Sequence, residues 1–598
     1  MIMPATLNEL FFSAMDRWRD RPVVMRVKRA GSWQSLSYAD LLEEVRHLSL
    51  GLGTLGVRQG DRVAILSENR PEWAIADYAC LAARCPDVPI YPTLPASQLQ
   101  YLLRDSGAVA IFVSSAEQRA KVDEIRGDLP DLRHVIVMDA DAAGGDAVPF
   151  AEVQKAGRAV TGRDEEWRTL ALSAGPDDLA TLIYTSGTTG EPKGVMLTHG
   201  NIASNVTGGL QRLPLRDSDE CLSFLPLSHI FERMAGHFCM MQSGAIINYA
   251  TSMDTVAAEM GEIHPTVVLS HPRLYEKVYA RVLESALGGS AIKKQLFFWA
   301  KRVGEQWVEY TLGQRHLPGW LALRYRVASS LVFAKLRGRV GGRIRFFVSG
   351  GAPLSAEIAK FFYAAGLPVL EGYGLTETSP VIAVNGTEAL KLGTVGKPLD
   401  NVEVEIAPDG EILTRGPHVM KGYLNKPEAT AEAIDDRGWL HTGDIGMLDA
   451  QGFLRMTDRK KDIIVTAGGK NIAPQPIENQ VKTSKFVSNA VMLGDRRKFP
   501  IMLIVPNQGQ LETWAERKGV RARSWEALLA TPEVQAKMDR ELKRVLRDRA
   551  HFEMPKKLLL LPEDFSIESG DLTPTLKVRR RVVEKRFARE IDALYVES

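Results

Sequence analysis

Short apolar runs alternate with longer stretches of helical spacing along most of this chain. Residues 62–66 (RVAIL), 109–113 (VAIFV), 134–138 (HVIVM), 180–184 (ATLIY), 266–270 (TVVLS) and 344–348 (IRFFV) are each predicted as a buried strand. The run at 62–66 leads into a helical pattern over 71–85, and the last two runs lead into turns and helices. This alternation is the signature of layered, parallel α/β structure. From Gly393 to Val419 the texture changes to short strands separated by Gly and Pro, which predicts a small β-subdomain. Asp449 to Phe453 (DAQGF) predicts a hairpin turn, and residues 462–466 start a new strand. The remainder of the chain is again mixed α/β and rich in Lys and Arg. A large N-terminal body with a smaller C-terminal lid, divided near Asp458, accounts for this order. Residues 140–147 (ADAAGGDA) predict a flexible loop.

Composition narrows the class. At 598 residues, with 45% hydrophobic and 25% charged residues, the chain has room for several domains and a large core. The four cysteines, Cys80, Cys85, Cys221 and Cys239, show no CxxC spacing, which predicts buried thiols in a reducing, cytoplasmic setting rather than a disulfide framework. No apolar run reaches the roughly 18 residues of a membrane span. The formal net charge is +2, yet twelve Lys or Arg lie between Lys293 and Arg345, opposed only by Glu305 and Glu309. Phe297, Phe298, Trp299, Trp307, Tyr310, Trp320, Tyr325 and Phe333 are interleaved with them. Two readings stay open for this segment. It is a reversible contact for an anionic membrane surface, peripheral at the inner face, or a helical insertion whose aromatics face the core.

The strongest chemical signal is Thr185 to Gly194 (TSGTTGEPKG), directly after a predicted buried strand. Its glycines permit close backbone approach, and its hydroxyls and N–H groups can form a nest for phosphate oxygens, with Lys193 adding charge. A Walker A loop needs Ser or Thr after the lysine, and here Gly194 occupies that position.

In its full form this loop resembles the first core motif of the adenylate-forming (ANL, AMP-binding) superfamily. The likeness runs along the chain in family order: Gly372 to Thr378 (GYGLTET), Leu440 to Gly446 (LHTGDIG), Asp458 to Asp462 (DRKKD), Gly468 to Glu478 (GGKNIAPQPIE) and Thr573 to Lys577 (TPTLK). Together with Pro226 to Arg233 (PLSHIFER) and the basic insertion, these look most like the bacterial long-chain acyl-CoA synthetases. The resemblance implies an N-terminal adenylation domain over 1–457, a hinge at 458–461 and a mobile C-terminal lid over 462–598. It also implies ATP, Mg²⁺ and coenzyme A, a long-chain fatty acid as substrate, and no nucleic acid.

Residue by residue, the resemblance assigns Thr185, Ser186, Gly187, Thr188, Thr189, Gly190 and Lys193 to the β- and γ-phosphates, with Thr185 also in the catalytic set. Thr376 would hold the α-phosphate and Glu377 the magnesium ion, a hard cation that prefers oxygen ligands. Tyr373 and Gly374 would face the adenine, with Gly351, Ala352 and Pro353 on its other side. Asp444 would accept from the ribose hydroxyls, with Arg459 beside it. Lys577 would bridge the attacking carboxylate and the α-phosphate, where negative charge builds. Gly468 and Gly469 would admit the pantetheine arm in a second lid pose. Taken alone, Glu377 suits a solvated loop, Asp444 a turn, Tyr373 a core, and Lys577, near Arg579, Arg580 and Arg581, a basic face. Motif order selects the functional roles. His229 stays open between a neighbour of the acyl carboxylate and a structural histidine. Where some long-chain homologues carry a gating tryptophan, this chain has Phe231, Glu232 and Arg233. The alternatives carried forward are an acyl-AMP ligase serving a carrier protein and a non-catalytic peripheral lipid carrier.

Overall fold

The computed structural model describes residues 4–185, 191–467, 470–566, 569–573 and 578–596. Each predicted strand forms: Arg62–Leu66, Ala108–Val113, His134–Val137, Leu179–Thr185, Val267–Ser270 and Phe346–Ser349. The first four belong to an eight-stranded sheet, in the order 422–423, 193–198, 179–185, 87–90, 62–66, 108–113, 134–137, 148–149. The other two belong to a nine-stranded sheet with Val369–Gly374, Glu220–Ser223, Ile246–Tyr249 and the N-terminal hairpin 25–36. Both sheets are largely parallel, with antiparallel pairs at Leu179–Thr185 with Lys193–Thr198, at Val369–Gly374 with Val381–Val384, and in the N-terminal hairpin. Side chains of both sheets enter one continuous apolar core, which includes Trp73 and Tyr78 of helix Pro71–Ala82. That helix is buried along its whole length, so its sequence shows no polar face.

The β-subdomain is a four-stranded antiparallel sheet in the order 403–406, 411–415, 440–448, 454–459. The turn at Asp449 to Phe453 closes its last hairpin. Beyond it, Ile464–Val465 pairs with Asn471–Ile472, and a three-stranded sheet (487–493, 501–506, 557–560) carries a separate core on each face. This C-terminal body meets the rest through Arg273 with Asp564 (3.1 Å), Lys482 with Glu276 (3.7 Å) and the Asn479 amide donating to the Pro353 carbonyl (3.2 Å). Asp458, at the sequence boundary, is buried and accepts from the backbone N–H of Gln475 at 3.1 Å, at the start of helix Pro474–Val481. Burial pushes its carboxyl up to about 6.

The four thiols are free and buried, as their sparse spacing predicts. No helix of the described residues is long and apolar enough to cross a membrane. In the insertion, the reading with aromatics facing the core holds for most of the rings. Of its eight aromatics, Phe297 and Phe333 are fully in the core, and Phe298, Trp299, Trp307, Tyr310 and Tyr325 pack against it. Only Trp320 is exposed. The hairpin of helices Ala291–Leu312 and Gly319–Ala328 turns its rings inward because they cover helix Ala356–Ala364. Trp307 stacks on Tyr325 at 4.1 Å, and the Tyr325 hydroxyl donates to the Ala364 carbonyl.

Candidate active site

The phosphate-loop residues Ser186 to Gly190, the pair Gly468 and Gly469, and Lys577 lie outside the described residues. The flanks of the loop are well defined. Thr185 ends one strand, Lys193 begins the next, and the two are paired across the hairpin. The strand Lys193–Thr198 is in turn paired with Gly422–Tyr423, which sets the Lys193 ammonium over the Tyr423 ring at 4.7 Å. From that ring the Tyr423 hydroxyl donates to Glu377 Oε1 at 2.8 Å. The first and second motifs therefore meet through a residue that neither contains.

Glu377 sits with Thr376 in a single 3₁₀ turn, Thr376–Thr378, just after the strand that ends in Tyr373 and Gly374. Gly374 must be glycine: a Cβ there would lie 1.7 Å from the Pro380 carbonyl oxygen. Tyr373 is buried, and its hydroxyl donates to Asp444 Oδ2 at 2.7 Å. Burial, then the Asp444 charge, raises the Tyr373 phenol well above its ordinary value. Asp444 pairs with Arg459 across the β-subdomain hairpin, with Arg459 Nε at 3.8 Å from Oδ1. One Asp444 oxygen thus holds Tyr373, and the other faces the guanidinium. Three residues expected at the nucleoside, from three separate motifs, form one cluster.

The segment Gly351 to Pro353 comes after the strand Phe346–Ser349, with Gly351 at φ +83° and open space around it. Its end is fixed by Glu371, whose Oε2 accepts the Leu354 N–H at 3.2 Å. Burial pushes the Glu371 carboxyl up to about 8. His229 comes six residues after the strand Glu220–Ser223 and is half-buried, with Nδ1 accepting the Phe231 N–H at 3.1 Å. In the neutral ring that bond leaves the proton on Nε2. The stretch before it is pinned by Asn69, which accepts from Leu227 N–H and donates to the Leu225 carbonyl and to Ser223 Oγ.

After His229 the chain forms a buried π-helical turn, Glu232–Phe238. Ser223 donates to Glu232 Oε1 at 2.6 Å, and burial pushes that carboxyl up to about 8. Arg233 is wholly buried between Asp77, Asp87 and Thr181, bonding all three. This locks the histidine segment to the core between the two sheets. Tyr423, Glu371 and Asn69, which hold expected site residues or their flanks in place, lie outside the residues that the motifs assigned, and the motifs gave Arg233 no role. Arg233 lies within the quoted segment Pro226 to Arg233, but its carboxylate partners are not visible there.

The donor set suits a magnesium nucleotide. Among the described residues no three His, Cys, Asp or Glu gather around one point. Magnesium does not need such a cage, because it takes one or two carboxylates and completes its shell with phosphate oxygens and water. Glu377 offers a carboxylate oriented by the Tyr423 hydroxyl, whose ring in turn meets Lys193.

Comparison with known proteins matches most of the chain. Residues 11–424 match the family described as AMP-binding enzyme, and residues 461–598 match its AMP-binding enzyme C-terminal domain. A long-chain-fatty-acid–CoA ligase, FadD15, of Mycobacterium tuberculosis is 40% identical over 96% of this chain and 95% of its own. Long chain acyl-CoA synthetase 6, peroxisomal, of Arabidopsis thaliana is 33% identical over 99% and 86%. Among solved structures, the anthranilate CoA ligase AuaEII with anthranoyl-AMP superposes at a TM-score of 0.71, with 19% identity and 98% coverage of both chains. The adenylation domain of a Mycobacterium chelonae carboxylate reductase gives 0.75, with 22% identity and coverage of 99% and 91%. These two share the layered α/β fold with its smaller C-terminal body. With both halves matched and relatives of 40% identity spanning nearly the whole chain, the chain belongs to the family of AMP-binding enzymes.

Proposed function

We propose that this enzyme is a long-chain fatty acid:CoA ligase that forms AMP. The fatty carboxylate attacks the α-phosphorus of ATP, giving acyl-AMP and pyrophosphate. The CoA thiolate then attacks the acyl carbonyl, giving acyl-CoA and AMP. The carrying observation is the meeting of Lys193, Tyr423 and Glu377 four residues from the Tyr373–Asp444–Arg459 cluster. Phosphate-neutralising and nucleoside-holding groups thereby share one short span. The long-chain substrate class rests on the names of the relatives that match nearly the whole chain.

In this reading Lys193 and the loop after Thr185 neutralise the β- and γ-phosphates, and Thr376 holds the α-phosphate. Glu377 would hold Mg²⁺, which when bound screens the phosphate charges as the two anions approach. Asp444 orients the ribose, with Arg459 beside Asp444. His229 contributes its Nε2–H next to the acyl carboxylate. Lys577 supplies charge at the α-phosphate in the first half-reaction, and the body after the 458–461 hinge moves for the second. The enzyme rests reversibly on the membrane surface through 293–345, because its acyl substrates partition there.

The test measures pyrophosphate release and CoA-thioester formation separately, over acids from short to very long chains. Pyrophosphate release with long acids and thioester formation with free CoA are expected. Release without thioester, restored by a carrier protein, would favour the acyl-AMP ligase alternative. Neither product would leave a lipid carrier.

A further inference from the structure

The insertion carries an apolar stripe on its outer side. Trp320, Leu323, Val327 and Leu331 are 55, 64, 43 and 47% exposed. Their spacing of three, four and four residues places them on one face of a continuous helical stretch. That stretch runs through helix Gly319–Ala328, the π-helical turn Ser329–Phe333 and helix Ala334–Arg339. Its opposite face is seated: Leu321, Ala328, Phe333 and Leu336 are buried, and Tyr325 is held by Trp307 and the Ala364 carbonyl. The exposed residues are therefore presented by a fixed helix, not by a loosely packed one. Elsewhere on the described surface large apolar side chains are exposed singly or in adjacent pairs, such as Met253 or Met447 with Leu448.

Cations flank the stripe. Arg315, Arg324, Arg326, Lys335 and Arg339 are all exposed, and among the described residues none has an ion-pair partner. The Arg324 guanidinium lies over the Trp320 ring at 5.7 Å. No carboxylate occurs in the sequence from Thr311 to Arg345. By contrast, other cations of the insertion are used internally. Lys301 bonds Glu305 and Glu357, Arg337 donates to the Ala365 carbonyl and Ser329, and Arg345 binds Asp219 and the Pro214 carbonyl. Charge in the insertion is thus divided between a structural set and a free set, and the free set borders the apolar stripe.

We infer that this face, Trp320 to Leu331 with its flanking cations, is the surface on which the protein docks to an anionic lipid bilayer. The inference rests on the peripheral-membrane part of the proposed function and assigns it to one helix face. An anionic bilayer satisfies both halves of the pattern: acyl chains and the glycerol region take the apolar stripe, and headgroup charge takes the cations. A second copy of the chain is a poor occupant, because it would set five unpaired cations against five. A nucleic acid would leave the leucines and valine unmatched. The helix lies along the surface, since its length and charge do not permit spanning.

The experiment uses the full chain with Leu323→Cys, labelled with an environment-sensitive thiol dye. The four native cysteines are buried, so labelling is selective. A second label at Met253→Cys, exposed elsewhere, is the control. Vesicles are phosphatidylcholine alone, or with about 30 mol% phosphatidylglycerol. The label at 323 is expected to shift to the blue on anionic vesicles only and to recover in about 0.5 M salt, with no shift at 253. Replacing Trp320 and Leu323 together by serine should lower partitioning at least about tenfold while turnover of a soluble medium-chain acid is unchanged. Wild-type binding to anionic vesicles with a silent label at 323 would overturn this face and leave the peripheral reading standing. No wild-type binding at all would overturn both. A shift without vesicles that grows with protein concentration would overturn lipid docking in favour of self-association.

Discussion

The hydroxyl of Tyr423 donates to Glu377 Oε1 at 2.8 Å while the ring of the same tyrosine lies under the Lys193 ammonium. One side chain thus spaces the cation of the phosphate loop from the carboxylate expected to hold magnesium. Tyr423→Phe keeps the ring and removes the donor. A hydrogen bond to a charged group contributes about 1.5–3 kcal/mol, so pyrophosphate release should fall by about tenfold or more, with half-saturation moved to higher magnesium. A magnesium titration of initial rates reads this directly. An unchanged titration would mean that Glu377 needs no orientation from Tyr423.

Arg233 is expected to be a stability residue with consequences for His229. Arg233→Met would leave Asp77 and Asp87 buried without their cation, and breaking such a group typically costs about 3–5 kcal/mol. Urea denaturation should show a midpoint markedly below wild type. Asp77→Asn, which keeps one acceptor, should lose less, because burial already pushes the Asp77 carboxyl well above its usual range.

The strands were legible because each is a short apolar run between turn residues, and the burial of 62–66 or 346–349 leaves little else for such runs to do. The sites that motif order reached are those held by local sequence, as in the turn from Tyr373 to Thr378. Tyr423 was not legible. It lies in a two-residue strand, and its value comes from pairing with Val195, which no local pattern specifies. Arg233 finds its carboxylates 156 and 146 positions away in sequence. In the insertion, helical spacing placed aromatics on faces without saying which face looks inward. Trp307 and Trp320 are equivalent in composition, and the packing of helix Ala356–Ala364 separates them.

Stability should fall as pH rises through the range of two buried glutamates. Glu232 and Glu371 are both pushed up by burial to about 8 from an ordinary 4.5. Between those values the folded chain keeps protons that the unfolded chain has released. Their contribution is therefore full below about 4.5 and lost as pH passes about 8. The limiting slope is about 1.4 kcal/mol per pH unit for each group. Glu232→Gln cannot ionise and should be nearly isosteric, so its thermal midpoint should gain on wild type between pH 6 and 9. Parallel curves would show that Glu232 is ionised in the folded enzyme.

Gly374→Ala tests the turn that carries Thr376 and Glu377. The added methyl would collide with the Pro380 carbonyl, which is backbone and cannot rotate away. The turn must shift by an ångström or so, and displacement on that scale can cost about 10²-fold in rate. Pyrophosphate release should drop by that order while circular dichroism stays native. Near-normal activity would mean that the turn's position is not critical to adenylation.

The C-terminal body is held in the described pose by Arg273 with Asp564, Lys482 with Glu276 and Asn479 with the Pro353 carbonyl. These are few, partly solvated contacts, and a surface ion pair contributes only about 0–1 kcal/mol, so they are compatible with the proposed movement of this body. If one pose serves adenylation and another thioester formation, fixing this one should split the half-reactions. Arg273→Cys with Asp564→Cys, joined by a short cleavable bismaleimide, places the tether where the ion pair now stands, and the buried native thiols will not compete. The tethered enzyme should lose one half-reaction by at least about tenfold and retain the other, and cleavage of the tether should restore both. Retention of both under the tether would show that the body completes the cycle without leaving this pose.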